Sequence, residues 1–537
     1  MDDLHLLEVV ILLFIVVLAL TTLAHRLLIP YPILLVIGGL VLALVPELPV
    51  VHLDPDLVFL VFLPPILWSA AYFTSFRDFR ANIRPIGLLA VGLVLATTAA
   101  VAAVAHAALP GIGWAEAIAL GAIVSPPDAI SATAIAKRLH LPGRLVTILE
   151  GESMVNDATA LVLYRTTVAA AVTGRFSLGE TLIEFVFAAA VGIGVGLAVG
   201  FTARFTLHLA KDSFTEIAIT LLAPYIAWVA AEQMDASGVL ACVAGAIYLR
   251  RHFSVVAPMT RIQARAVWNL LVFLLNGVIF ILIGLQLRLL GDAVPADRLT
   301  SLILVGGLVS ATAIAVRLIL VPTVAVVSRL VSPELRKRDP LPPWPYLFIV
   351  GWTGMRGIVT LAAALALPHI TASGAPFPFR SEIILLSFGL ILVTLVIQGL
   401  SLAPLIRALH LESGHADEKE EQVARERAAV AALGRLDELG KATWPVADQI
   451  EQMRVHYARR VQRYAAEANA AADCTPESAE AFRRLRHEAL SAERHAVIHL
   501  RNQGVISDEV LHRLEHELDV EALRHGLGER RLVVEKS

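Results

Sequence analysis

The chain has 537 residues, of which 57% are hydrophobic and only 17% are charged. An ordinary soluble domain is about 45–50% apolar and about 25% charged, so the composition excludes a disordered chain and a simple soluble enzyme. The two cysteines exclude a disulfide framework, and a net charge of −3 provides no basic surface for nucleic acid. What remains is a polytopic membrane protein with room for an additional soluble segment.

The apolar character of the chain ends near residue 410. Residues 1–410 are predicted to form a transmembrane domain, because long apolar runs alternate there with short polar loops. Residues 411–537 are predicted to form a cytosolic helical tail, since charged residues dominate from Glu412 onward. The first apolar run follows an acidic start, so it is predicted to be a membrane span rather than a cleavable signal.

The lengths of the apolar runs predict an all-α membrane architecture, since about 20 residues are needed to cross a bilayer. About thirteen runs are predicted to be spans, at residues 6–24, 33–45, 57–73, 88–107, 117–136, 146–172, 181–207, 214–231, 239–249, 267–287, 302–327, 346–367 and 382–405. Lys and Arg concentrate in the loops after the odd-numbered spans, which is typical of cytoplasmic loops. The N-terminus is therefore predicted to lie outside and the tail in the cytoplasm.

The spans form two groups of six with a single span between them. The single span inverts the second group relative to the first, and inverted repeats of this kind are common in secondary transporters. The fifth span is interrupted by SPPD at residues 125–128, and its counterpart, the twelfth, by GWTGMRG at residues 351–357. Two broken, crossing helices predict a substrate site between them, because the freed backbone groups need protein partners or a hydrated cavity.

Polar side chains cluster near the start of the sixth span, at Glu152, Ser153, Asn156 and Asp157. Ser153 and Asp157 are four residues apart and share one helix face, whereas Glu152 and Asn156 share the adjacent face. A carboxylate at membrane depth costs about 2.5 kcal/mol or more, so a functional role is expected. The face with Asp157 is predicted to bind an ion or a proton, and the other to contact neighbouring helices.

The chemistry of these groups favours ion exchange. Oxygen ligands without a Cys/His cluster suit a hard cation, so we expect no cofactor and no metal other than a transported monovalent cation. A buried carboxylate binds either a proton or a small cation, but not both well. No phosphate loop, nucleophile elbow or zinc spacing occurs, which argues against an enzyme. Two rival functions are an uncoupled cation channel and a transporter of organic substrates.

The remaining polar residues of the broken spans have more than one interpretation. Arg356 is predicted to form a structural ion pair with Glu152, to compensate the dipoles of the broken helix ends, or both. Arg317, within the eleventh span, is expected to compensate charge. Asp128 and Ser125 are candidates for ion coordination or access, but Asp128 could equally cap the second half of the broken span.

Three segments resemble a known family. EGESMVNDATALVLY from residue 150, SPPDAISATA from residue 125 and GWTGMRGIVTLAAALALP from residue 351 are similar to sodium/proton exchangers of the monovalent cation/proton antiporter-1 family, bacterial branch. The resemblance covers about residues 6–410. It implies an antiporter of the bacterial inner membrane that exchanges Na⁺ for H⁺. It also implies a homodimer in lipid, whose mobile core domain moves past a dimerisation domain like an elevator.

The resemblance implies roles for individual residues as well. Asp157 corresponds to the aspartate that carries ion and proton, and Ser153 to the serine that helps to coordinate the ion. The asparagine that accompanies electroneutral exchange corresponds to Asn156. The structural charge pair of the family corresponds to Glu152 and Arg356.

Two positions depart from the family pattern. Many relatives have an acid directly before the proline of the fifth span, whereas Asp128 follows two prolines. Many relatives also have an acid in the third span, where this chain has Ser69. Both departures change which oxygen atoms are available to coordinate the cation, so K⁺ and Li⁺ are alternatives to Na⁺.

Overall fold

The structure, a computed structural model, describes residues 3–27, 29–45, 53–139, 141–174, 178–210, 212–252, 258–286, 296–411, 416–440, 447–470 and 476–503, with scattered positions from 505 to 521. Within these ranges the regular structure is helical, and extended pairing is limited to an isolated bridge between Ile370 and Pro376. This confirms the all-α class for the described residues. The contacts divide the chain into two units, Met1–Glu412 and Ser413–Ser537.

Helices account for nearly all of the described first unit. Its first half contains α1 (Asp3–Leu27), α2 (Tyr31–Ala43), α3 (Pro55–Phe73), α4 (Phe76–Ala81), α5 (Ile83–Ala108), α6 (Trp114–Val124), α7 (Ala129–Arg138) and α8 (Gly143–Thr173). Its second half contains α9 (Leu178–Leu209), α10 (Ser213–Glu232), α11 (Gly238–Arg251), α12 (Pro258–Leu285), α13 (Ala296–Val331), α14 (Pro333–Arg338), α15 (Trp344–Trp352), α16 (Ile358–Leu365) and α17 (Arg380–Ala408).

Both predicted helix breaks are present, and they touch each other. Helix α6 ends at Val124, because the two prolines that follow have no N–H group to continue the ladder. Helix α7 begins after Asp128, whose Oδ1 accepts the N–H of Ile130 at 2.9 Å. The N–H of Asp128 donates to the carbonyl of Met355 at 2.7 Å, and Met355 lies in the break between α15 and α16.

Seven described helices are long and apolar enough to cross a membrane, by length and composition: α3, α5, α9, α10, α12, α13 and α17. Shorter apolar helices occur at Ile11–Ala24 within α1, at α2 and at α6. Other predicted spans fall on helices that are interrupted, such as α15 and α16, or that carry carboxylates, such as α8. The count of thirteen spans therefore stays a prediction.

The helices of the first unit pack in two groups. In one group, α9 packs against α11, α11 against α3, and α2 against α12. In the other, α6 packs against α5 and α8, and α13 against α5, α15 and α17. Gly39 of α2 and Gly284 of α12 permit a close approach, since a methyl group on either would overlap the backbone of the other helix. The broken helices belong to the second group, and α3 and α12 face them from the first.

The second unit contains α18 (Ala416–Leu439), α19 (Ala447–Ala470) and α20 (Pro476–Asn502). Helices α18 and α19 pack together, and Nε of Arg454 donates to Oδ1 of Asp437 at 2.8 Å across them. The described residues of this unit are thus mostly helical, and the cytosolic location of the tail stays a prediction.

A charged cluster joins α8, α13 and the segment before α15. Two nitrogens of Arg144 donate to the two carboxylate oxygens of Asp339, each at 2.8 Å. Arg329 donates to the same carboxylate at 2.7 Å. The hydrogen bond from Arg144, with the charges of both arginines, holds the pKa of the Asp339 carboxyl below its ordinary value.

Replacing Asp339 with asparagine is expected to destabilise the protein by roughly 1 kcal/mol near neutral pH. A carboxyl whose pKa is lower in the folded chain stabilises the fold above its unfolded pKa of about 4. That contribution is lost as the pH falls through the folded pKa. Melting temperatures of wild type and Asp339→Asn in detergent should differ by a constant amount from pH 8 to 5. Below pH 5 the difference in melting temperature should decrease toward zero. A difference that increases on acidification would contradict the lowered pKa of Asp339.

Candidate ion-binding site

A cavity of about 250 Å³ lies where the two helix breaks meet. Its walls come from α3 and α12 of one helix group, and from α7, α8 and α16 with the residues of the breaks on the other side. Most of the lining is apolar, with side chains such as Leu67, Phe73, Met154 and Val272. A small number of oxygen-bearing side chains therefore converge in surroundings that offer little competing solvation.

One face of α8 supplies three of these polar side chains. Glu150, Ser153 and Asp157 line the cavity, at the three- and four-residue spacing of one helical face. Asp157 is 6% exposed, so its carboxylate is almost completely withdrawn from solvent. The Oγ1 of Thr74 donates to Oε2 of Glu150 at 3.2 Å, at the N-terminal end of this face. Ser153 and Asp157 thus share a face, as the spacing predicts.

Asp128 caps α7, which is one of the two roles that the sequence left open, and it also lies at the cavity. Its Oδ1 caps α7 through the N–H of Ile130, while its Oδ2 is buried and has no hydrogen-bond partner. The same side chain lines the cavity beside Asp157, and the two carboxylates are within electrostatic reach of each other. One oxygen of Asp128 is thus engaged by the backbone, and the other is buried without a hydrogen-bond partner.

Two further oxygens in the cavity were not predicted from the sequence. Asn276 of α12 and Thr360 of α16 both line the cavity. The Oδ1 of Asn276 and the Oγ1 of Thr360 are buried and have no hydrogen-bond partner. Ser69 of α3 also lines it, although its hydroxyl donates to the carbonyl of Ile66 at 3.0 Å. The sequence offered one signal for each residue. Asn276 is an isolated amide within an apolar span, and Thr360 lies close to the glycine-rich break.

The buried ion pair joins Glu152 to Arg317, and the predicted pair of Glu152 with Arg356 is wrong. Both side chains of the observed pair are 1% exposed. Nη1 of Arg317 bonds to Oε1 of Glu152, and Nη2 donates to Oε2 at 2.8 Å. The Nε of Arg317 donates to the carbonyl of Val350, near the end of α15, at 3.1 Å. Arg317 thus neutralises Glu152 directly, from a helix 165 residues away in sequence.

Arg356 instead places its positive charge at the carbonyl groups of the broken helix ends. Its Nε donates to the carbonyl of Val124, the last residue of α6, at 3.0 Å, and Nη1 donates to the carbonyl of Gly354. Its backbone N–H donates to Oγ1 of Thr394 at 3.1 Å. The guanidinium therefore lies at carbonyl groups left without helical partners, where a positive charge is favourable. These bonds explain why Arg356 does not form the ion pair.

Two predicted site residues do not line the cavity. The Nδ2 of Asn156 donates to the carbonyl of Pro127 at 3.0 Å, which supports the unwound segment before Asp128. The hydroxyl of Ser125 donates to the carbonyl of Ala122 at 3.0 Å. Both residues stabilise the break between α6 and α7, and Ser153, Asp157 and Asp128 are the predicted candidates that line the cavity.

Gly357 is needed for the space between the two breaks. A methyl group at this position would overlap the Asp128 carboxylate, which is held by the cap of α7 and cannot easily move. We therefore expect Gly357→Ala to reduce, by about tenfold, whatever activity in reconstituted liposomes depends on this cavity, since overpacking a close contact costs about 1–3 kcal/mol. Gly389→Ala is a matched control, because a methyl group there meets no atom within 4 Å. Equal activity of the two variants would show that this contact is unimportant.

The fold and the site define a polytopic membrane protein in which two carboxylates, Asp128 and Asp157, lie where two interrupted helices meet. Such an arrangement is typical of secondary transporters. A family model described as "Sodium/hydrogen exchanger, transmembrane" matches residues 11–408. The chain therefore belongs to the sodium/hydrogen exchanger family, and the resemblance noted in its sequence is confirmed.

Proteins with similar sequences occur in several bacteria. An uncharacterized Na⁺/H⁺ exchanger of Mycobacterium tuberculosis is 36% identical over 517 residues, covering 94% of this chain and 93% of the relative. The sodium, potassium, lithium and rubidium/H⁺ antiporter of Bacillus subtilis is 31% identical over 408 residues, covering 72% of this chain and 60% of the relative. The low-affinity Na⁺/H⁺ antiporter of Synechocystis is 32% identical over 423 residues, covering 76% of each chain.

A solved structure has the same fold. The sodium proton antiporter MjNhaP1 of Methanocaldococcus jannaschii matches with a TM-score of 0.57 and 17% sequence identity. The match covers 77% of this chain and all of the other, so it extends over the whole of that antiporter fold.

Proposed function

We propose that this chain exchanges Na⁺ for H⁺ across the bacterial inner membrane, and that Asp157 is the group that binds them in turn. The observation that carries the proposal is the burial of Asp157 in a largely apolar cavity that holds a few oxygen-bearing side chains, between two broken helices. The two buried arginines have other partners, since Arg317 pairs with Glu152 and Arg356 binds backbone carbonyls. A carboxylate without a fixed counter-charge has to be neutralised by a mobile cation, and H⁺ and Na⁺ are both suitable.

The oxygen atoms around Asp157 support direct coordination of the cation. Ser153 supplies a hydroxyl, and Asp128, Asn276 and Thr360 supply buried oxygens without hydrogen-bond partners. Carboxylate, amide and hydroxyl oxygens are ligands for hard cations. K⁺ and Li⁺ remain alternatives to Na⁺, and the name of the Bacillus subtilis relative includes both.

Alternating access would follow from relative motion of the two helix groups, as in an elevator. The proposal is supported by the lining of the cavity, which combines α3 and α12 of one group with α7, α8 and α16 of the other. Movement of the ionised, empty site would be slow, because an uncompensated charge is costly in an apolar barrier. Inverted repeats, a homodimer and a cytoplasmic tail are parts of the same proposal, with the N-terminus outside.

Electroneutral exchange is the proposed stoichiometry. If Asp157 alone titrates, one proton is exchanged for one Na⁺ and no net charge moves. Asp128 is the group that could alter this ratio, because it lines the same cavity and has a second oxygen available. A contribution of a second proton would make the exchange sensitive to membrane voltage.

Transport in proteoliposomes tests the proposed function. A pH dye inside the vesicles would report proton movement after external Na⁺, K⁺ or Li⁺ is added, with the membrane voltage clamped or left free. We expect Na⁺ to drive proton efflux at a rate that is independent of the clamped voltage. Ion current without proton coupling would instead indicate a channel, and the absence of any cation-driven efflux would overturn the proposal.

A further inference from the structure

A second and larger cavity, of about 650 Å³, lies outside the ion-binding site. It is enclosed by the first turns of α5 and α8, the last turns of α13, and α15 with the segment before it. Its interior is almost entirely apolar, with Leu89, Leu145 and Val321 among its buried side chains. Leu88 and Leu341 are exposed at its edge, so the apolar lining continues onto the surface of the molecule.

Charged side chains lie at one end of this cavity. Arg84, Arg144 and Arg329 line it together with a single carboxylate, Asp339. Asp339 is bonded to Arg144 and Arg329, so three positive charges face one negative charge. The cavity therefore combines an excess of positive charge at its end with a long apolar wall.

We propose that this cavity binds an anionic phospholipid, with its phosphate at Arg84 and one acyl chain along the apolar wall. A phosphate complements the excess positive charge, and guanidinium groups bind phosphate oxygens with good geometry. An acyl chain would remove the exposed leucine side chains from water. A soluble anion would leave the apolar wall empty, and a neutral lipid would leave the excess charge uncompensated. Basic pockets between transmembrane helices are suited to anionic headgroups.

The bound lipid would contact the helices that hold the buried ion pair. Ile148 lines the cavity one turn before Glu152, and Val321 lines it one turn after Arg317. The carbonyl of Val350, another lining residue, accepts a hydrogen bond from Arg317. The lipid thus fills the space between three helices that converge on the pair, and it is expected to raise the thermal stability of the protein.

Native mass spectrometry of the full-length protein tests this site. The protein in detergent is titrated with phosphatidylglycerol or with phosphatidylcholine of the same acyl chains. We expect phosphatidylglycerol to bind more tightly, and Arg84→Gln to weaken its binding by about fivefold, since each basic residue contributes about 1 kcal/mol to binding anionic lipid. Arg80→Gln is the matched control, because Arg80 is an exposed arginine four residues away that does not line the cavity.

A second variant separates the apolar wall from the charged end. Ala325→Phe adds bulk inside the cavity without changing any charge, so it should also reduce phosphatidylglycerol binding. Equal binding of the two lipids, or an equal loss in Arg80→Gln and Arg84→Gln, would overturn the proposal. Displacement of the lipid by millimolar inorganic phosphate would assign the charged end to a free anion and would also overturn it.

Discussion

Replacing Asp157 with asparagine is expected to reduce sodium-driven proton efflux to the level of protein-free liposomes. The amide has nearly the same shape as the acid, but it neither accepts a proton in this pH range nor carries a charge that a cation can neutralise. The substitution also removes a buried charge, so the variant should fold at least as stably as the wild type. Efflux measured with an internal pH dye, together with a thermal melt, separates loss of function from loss of structure.

Glu150→Gln provides the matched control for this experiment. Glu150 lines the same cavity and lies two turns before Asp157 on the same helix face, but its Oε2 is bonded to Thr74. We expect this variant to retain coupled exchange with a change in rate. Wild-type exchange by Asp157→Asn would contradict the assignment of Asp157.

Replacing Arg317 alone with leucine is expected to destabilise the protein by about 3–5 kcal/mol, since it leaves Glu152 as an unpaired buried charge. The double variant Glu152→Leu with Arg317→Leu should recover much of this loss, because replacement of both partners by apolar groups is often neutral. Recovery will be incomplete, since Arg317 also bonds to the carbonyl of Val350. Thermal unfolding of the single and double variants in detergent measures these differences.

An ion pair at the surface provides the comparison for the Glu152 and Arg317 variants. Arg298 and Glu382 lie 3.8 Å apart, and the arginine is 68% exposed, so Arg298→Leu should change stability by less than about 1 kcal/mol. If the double variant at Glu152 and Arg317 is as unstable as Arg317→Leu, the buried pair is not the source of the effect. Retained exchange in a folded double variant would show that the pair is structural.

Local sequence features were sufficient to predict the helix breaks and the polar face of α8. Proline lacks an N–H group and glycine weakens helices, so the clustered prolines of 125–128 and glycines of 351–357 favour interruption. Isolated prolines do not suffice, since α10 and α13 continue through Pro224 and Pro322. The shared face of Ser153 and Asp157 follows from helical periodicity alone. These predictions depend on the backbone within a few turns.

The pairing of the buried charges depends on tertiary geometry and was not predictable in the same way. Two arginines, Arg317 and Arg356, were available to one acid, Glu152, and sequence spacing did not distinguish them. The choice is determined by the carbonyls of Val124 and Gly354, which engage Arg356 at the broken helix ends. The position of Asn276 at the cavity was missed for a related reason, because a single amide in an apolar helix gives no indication of which cavity it faces.

The most direct test of the central claim is the release of protons when Na⁺ binds to the purified protein. The protein is placed in weakly buffered detergent solution with a pH indicator, and NaCl is added with choline chloride as the control salt. If Na⁺ displaces a proton from Asp157, the wild type will release about one proton per chain at the optimal pH, and Asp157→Asn will release none. Undiminished proton release from Asp157→Asn would contradict the account, because exchange would then take place at a different group.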